Sequence, residues 1–141
     1  MANTTAICSS FKQELLTGTH NLNSNTIKAA LYLASATVNA ATTAYSVTNE
    51  ASGAGYTAGG ITCSAGTAGL TGTTSYWQPG GALSYGTVTL ATAFDAVLLY
   101  NSTQTNKAIA VWNFGSTTVN NGTFTINLPA NDSSNALIRL T

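Results

Sequence analysis

Charge is what this sequence has least of. Asp, Glu, Lys and Arg make up 6% of its 141 residues, where about 25% is ordinary for a globular domain. The four cations, Lys12, Lys28, Lys107 and Arg139, are scattered, and the net charge is zero. A sequence-independent grip on nucleic acid needs clustered Lys or Arg, so no nucleic-acid partner is expected. Long apolar runs are missing too. None approaches the roughly 20 residues that span a bilayer, so no membrane partner is expected. Residues 1–18 lack a basic start and an uninterrupted apolar stretch, and they carry Lys12 and Glu14. They do not read as a secretory signal, and the chain is expected to be made in the cytoplasm. Cysteine is limited to Cys8 and Cys63. With no CxxC spacing and a single histidine, a zinc site is not expected. A bridge between the two is possible, and two buried free thiols are the preferred reading. The glycines at 53, 55, 59 and 60 have no GK[ST] and no helical pattern after them, which leaves a phosphate loop unsupported. They read as tight turns or close backbone approaches. No cofactor is implied.

What remains is apolar and neutral-polar. The hydrophobic fraction is 44%, and a chain of this length fits one domain, residues 1–141. Such a domain buries roughly two-thirds of the surface its unfolded chain exposes, enough for a core without metal or disulfide. The exterior must then be Thr, Ser, Asn and Gly. That suits a surface exposed to variable salt, or one covered by neighbours, where isolated charges are costly to desolvate.

One helix is expected near the start. Ile7, Phe11, Leu15 and Leu16 recur at helical spacing within residues 1–18, with Thr4 or Thr5 as cap and Gly18 as stop. Being short, it needs a sheet to lie on. Residues 26–34 (TIKAALYLA) read as a strand, followed by a long Gly-rich loop over 35–60. Loops of that length in a compact domain are usually functional or interfacial. Residues 61–70 and 73–78 read as weak strands around Pro79-Gly80-Gly81. Residues 87–91 (TVTLA) alternate, and 94–100 (FDAVLLY) read as a central strand. Residues 101–106 form a hairpin turn and 107–114 (KAIAVWNF) the return strand. Asn120-Asn121-Gly122 is a turn signal. Residues 123–128 alternate up to Pro129, and 136–140 close the chain. Seven or eight closely spaced strands predict a mainly β fold: an antiparallel sandwich or barrel-like domain with one short N-terminal helix.

Chemistry-bearing residues are few. His20 is the only partner for a Ser-His-Asp triad with Asp95 or Asp132, but no GxSxG elbow exists, and a surface or helix-end histidine is preferred. Glycoside hydrolysis would need two carboxylates, for example Glu50 with Asp95. Glu50 lies in the long loop with Tyr45 and Tyr56. The trio could line a polar groove, or Glu50 could anchor a turn by accepting backbone N–H bonds; the second is preferred. Tyr76, Trp77 and Tyr85 surround Pro79-Gly80-Gly81, and they suit a core, an interface or a glycan contact.

Residues 6–16 (AICSSFKQELL), 26–33 (TIKAALYL) and 44–60 (AYSVTNEASGAGYTAGG), continued by 97–101, 106–115 and 122–129, resemble small virion structural proteins of tailed bacteriophages. The pattern N-E-x-x-G-x-G-Y-x-x-G-G over 49–60 is its most specific part, and 62–85 depart from it by being richer in Gly and Thr. The resemblance implies a β-sandwich module without catalytic residues. It is expected to sit on the virion, on the capsid surface as a decoration or cement protein, after assembly in the host cytoplasm. The expected partners are the major capsid protein and further copies of the chain, as a trimer. The alternative is a tail, baseplate or fibre component that contacts host glycan through exposed Tyr76 or Trp77. The candidate interface residues are Phe11, Tyr45, Glu50, Tyr56, Tyr76 and Trp77.

Overall fold

One long hairpin organises the molecule, and everything else is laid against it. The computed structural model describes residues 2–141. In chain order these form β1 (Ala6–Ile7), α1 (Ser9–Leu16), β2 (Ile27–Leu33), β3 (Ile61–Thr62), β4 (Gly69–Thr71), β5 (Thr74–Trp77), β6 (Leu83–Asn101), β7 (Lys107–Ile126) and β8 (Ile138–Leu140). A 3-10 turn, Ser102–Gln104, joins β6 to β7. A five-stranded antiparallel sheet runs β1-β7-β6-β2-β3, and a three-stranded one runs β4-β5-β8. The fold is thus mainly β and antiparallel, with one short helix near the N-terminus, as the patterning predicts.

The apolar runs explain the centre of the large sheet. Ala29–Tyr32 of β2 pair with Leu99–Ala96 of β6, and both stretches are buried. A strand buried on both faces needs apolar residues at consecutive positions, not alternate ones.

Further along the hairpin the local signals were overruled. The expected strands 87–91 and 94–100 are one strand of 19 residues. Likewise, 107–114 and 123–128 belong to one of 20 residues. Asn120-Asn121-Gly122 does not reverse the chain. Val88 and Leu90 pair with Gly122 and Val119, which leaves an extra residue on β7, and Asn121 takes a left-handed φ of +47° there. Further slips fall next to Gly86 (φ +68°) and Gly115 (φ +91°). Each bulge bends the ribbon and increases its twist. The open end consequently returns over the sheet. Leu83 lines a cavity of about 60 Å³ with Val97, Leu99 and Leu137, and the Tyr85 hydroxyl donates to Ala29 O at 3.1 Å. Phe94, Phe114 and Phe124 fill the inside of the bend with ring centroids 5.0–5.9 Å apart. Trp77 and Ile138 carry the small sheet into the same core.

The helix begins later than its periodicity suggests. Ile7 belongs to β1, paired with Ala110, and the Cys8 amide donates to Ile109 O at 2.9 Å. Because β7 takes these backbone groups, Cys8 is the N-cap, without a side-chain cap bond. Thr5 Oγ1 instead accepts from the Asn113 amide. The stop is as expected. Gly18 has φ +71°, and the Gly18 and Thr19 amides donate to Leu15 O and Glu14 O, the Schellman pattern.

Residues 35–60 hold no strand, yet they form a strap pinned at several points. Isolated bridges join Ala44 to Lys107, Glu50 to Tyr32 and Ala54 to Thr89, while the Thr4 and Ser9 amides donate to Val38 O and Ala40 O. Both cysteines are free, Cys8 buried and Cys63 half-buried. Burial pushes the Cys8 thiol up to about 11 and the Cys63 thiol to about 12.

Candidate functional site

The strap brings Tyr45, Glu50 and Tyr56 together, and the result is closed. Glu50 is 6% exposed. Its Oε2 accepts from the Tyr45 hydroxyl at 2.6 Å, and its Oε1 from the Tyr56 hydroxyl at 2.7 Å and the Gly59 amide at 2.8 Å. Tyr56 Oη accepts in turn from the Leu31 amide at 2.9 Å on the edge of β2. The Tyr45 ring stacks on Tyr100, centroids 4.7 Å apart, and the Tyr100 hydroxyl donates to Gly59 O at 2.7 Å. Gly59 and Gly60 have φ of +92° and +71°, and a Cβ on Gly60 would lie 1.8 Å from Ala29 O. The Gly-Gly pair therefore lets the strap pass close against β2 and aim an amide at the carboxylate.

A carboxylate taken from water is tolerated when donors surround it. Three do so here. Burial first, then the hydrogen bond to Glu50, holds the Tyr45 and Tyr56 phenols well above their ordinary value. Burial likewise pushes Tyr32 and Tyr100 up to about 12. The phenols therefore stay protonated and keep donating. Of the two arrangements open from sequence, the anchored turn is the one observed.

The remaining carboxylates are tied elsewhere. Asp95 accepts from Asn3 Nδ2 and Asn113 Nδ2. Glu14 accepts from Lys107 Nζ at 2.7 Å and is paired with His20 Nε2 at 2.7 Å. Burial raises its pKa, but these partners together outweigh that and hold it below the usual value. Asp132 Oδ1 accepts from the amides of Ser134 and Asn135 at 2.8 Å. Among the described residues no group of three His, Cys, Asp or Glu is placed to hold a metal. Nor is any helix long and apolar enough to cross a membrane.

The other candidate interface residues are not brought to the strap cluster. Phe11 is completely buried, edge-on to His20 at 4.9 Å. Trp77 is 3% exposed because, with its cross-strand partner Ile138, it is packed into the core. Phe11, Glu50 and Trp77 thus present no side chain to a partner, and Trp77 is not the exposed platform that the glycan reading requires. Tyr45, Tyr56 and Tyr76 are half-buried. His20, expected at the surface or a helix end, lies just beyond α1 but is buried.

Sequence reasoning missed an apolar surface. Leu16, Leu70 and Leu140 are 90%, 69% and 48% exposed. Leu70 and Leu140 both pair with Ser75 from opposite sides, so these three share one face of the small sheet, the face that Trp77 and Ile138 also occupy farther along. Leu15, Leu22, Tyr76 and Leu140 line a shallow groove beside them. A signal was present for Leu16: it lies five residues after the buried Phe11, about 140° around the helix, whereas Leu15 follows Phe11 inward at four.

The class defined here is a mainly β, antiparallel domain with one short helix and a pinned strap. Comparison with known proteins finds no matching family model, no matching curated protein and no matching solved structure.

Proposed function

We propose that this chain is a non-enzymatic structural protein of a tailed-phage virion, a capsid decoration or cement protein that binds the major capsid protein and strengthens the head. The resemblance over residues 49–60 suggests the setting. The observation that carries the structural role is how the charges are used. All four carboxylates are engaged within the chain, by Lys107 and His20, by two tyrosines and an amide, by two asparagines, and by a local turn. What is left for a partner is mostly neutral Thr, Ser and Asn, with the separate cations Lys12, Lys28 and Arg139, plus the exposed leucines of the helix end and small sheet. Depletion of charge with apolar anchors is the composition of an interface core, and such contacts hold when salt changes. A homotrimer on the capsid lattice fits this role, since repeated identical contacts close by rotation.

The test is gold-labelled antibody on intact particles in the electron microscope, with copy number from a stained gel. Label over the head and a band near the intensity of the major capsid protein are expected. Label confined to the tail and a faint band would overturn the capsid reading in favour of a host-contact component.

A further inference from the structure

Five polar side chains meet where the end of α1 touches the tip of the β6–β7 hairpin. Glu14 comes from α1, His20 and Asn25 from the connection after it, Asn101 from the end of β6 and Lys107 from the start of β7. The His20 side chain is fully enclosed, and Asn101 is fully buried. Backbone amides can only donate, and they set the direction of each bond here. The Thr103 and Gln104 amides donate to Asn101 Oδ1 at 3.1 and 3.2 Å. The Asn21 amide donates to Asn25 Oδ1 at 3.0 Å. Asn101 Nδ2 is therefore the donor toward two acceptors, Asn25 Oδ1 at 2.7 Å and His20 Nδ1 at 3.0 Å. With Nδ1 accepting, the ring proton sits on Nε2 and is donated to Glu14 Oε2 at 2.7 Å. The other Glu14 oxygen is held by Lys107 Nζ. Every donor meets an acceptor only when His20 is neutral and carries its proton on Nε2.

We infer that His20 is a proton-operated latch between the helix end and the hairpin tip. A second proton, taken on Nδ1 from solvent, sets two N–H donors against each other at the Asn101 contact. That bond breaks and the ring leaves the tip, while Asn25 stays bonded to Asn101 and Thr26 to Ser102 and Thr103. The titratable and charged groups facing the ring are Glu14 and, behind it, the Cys8 thiol on the α1 side, and Lys107 on β7. Glu14 does not oppose the opening. It stays on α1, and the ring keeps its Nε2–H bond to Glu14 in either state, turning about that bond as it leaves Asn101. Lys107 remains as the tether to β7.

The test is nitrogen-15 spectroscopy of the His20 ring on the full chain from slightly alkaline to mildly acidic pH, with proton exchange of the Asn101 side-chain amide followed in the same samples. The expected result is a neutral Nε2–H ring at high pH. As the ring becomes doubly protonated, Asn101 amide exchange should rise about tenfold or more. A proton on Nδ1 at high pH, or a doubly protonated ring with the Asn101 amide still protected, would overturn the latch. Asn101→Asp replaces the opposing donor by an acceptor, so its tip should stay closed when His20 is charged. His20→Gln should show no acid-dependent opening, and opening that persists there would also overturn it. Should either variant not fold, the ring and amide measurements on the unaltered chain decide.

Discussion

Glu50 is the residue on which the strap depends, and its partners differ in what their removal exposes. Tyr56→Phe takes a donor from a buried carboxylate and also strips the Leu31 amide of its acceptor. It should cost about 2–3 kcal/mol. Tyr45→Phe removes one donor at a half-exposed position and keeps the stack on Tyr100, so about 1 kcal/mol is expected. Denaturant midpoints of the two variants check the order. The same phenols predict an alkaline limit. Their folded-state pKa values lie above the ordinary value near 10. Their stabilisation is therefore fully present below about 10 and is lost as pH rises through the folded values. Circular dichroism against pH should show unfolding setting in above about 10, and Tyr56→Phe, with one raised phenol fewer to ionise, should lose stability less steeply across that range.

At the scale of elements, bulges and left-handed residues decide where strands bend and where the strap lies. Gly18 and Gly60 share the same φ of +71° but not the same surroundings. A Cβ at Gly18 meets nothing within 4 Å, while at Gly60 it falls 1.8 Å from Ala29 O. Gly18→Ala should therefore cost about 1–2 kcal/mol, the strain of a left-handed backbone alone. Gly60→Ala should cost more than about 4 kcal/mol, because strap and β2 cannot both stay in place. Thermal unfolding of both variants separates the two effects. Element boundaries were legible where the deciding signal was local. The Gly18 stop, the hairpin at 101–106 and the alternation before Pro129 all held. They failed where a distant strand supplied the partner. β7 pulled Ile7 out of the helix, and continuous pairing with β6 absorbed Asn120-Asn121-Gly122 as a bulge.

For the whole molecule, the proposed role in a virion rests on apolar contact, because the exterior is poor in charge. Replacing Leu70 and Leu140 together by Asp should leave the isolated chain as stable as before, within about 0.5 kcal/mol, since both are exposed. It should sharply lower the amount of the chain on purified particles. Unfolding curves and a particle gel read the two effects separately. Unchanged incorporation would remove this face from the assembly interface.

Sequence alone determined the class of the fold and much of the site's membership. Composition limits how a surface can be made, and the apolar periods of β2 and β6 leave few ways to bury them. Tyr45, Glu50 and Tyr56 were grouped correctly because they sit within twelve residues of one another on one Gly-rich segment. Tertiary structure alone decided which side chains face outward. Trp77 and Phe11 are covered while Leu70 and Leu140 stay exposed, although Trp77 shares a sheet face with both leucines through the Ser75 register, because cover is a matter of contacts between residues far apart in the chain. It also placed His20 against Asn101, whose side-chain orientation is set by backbone amides of the hairpin tip more than eighty residues from the histidine.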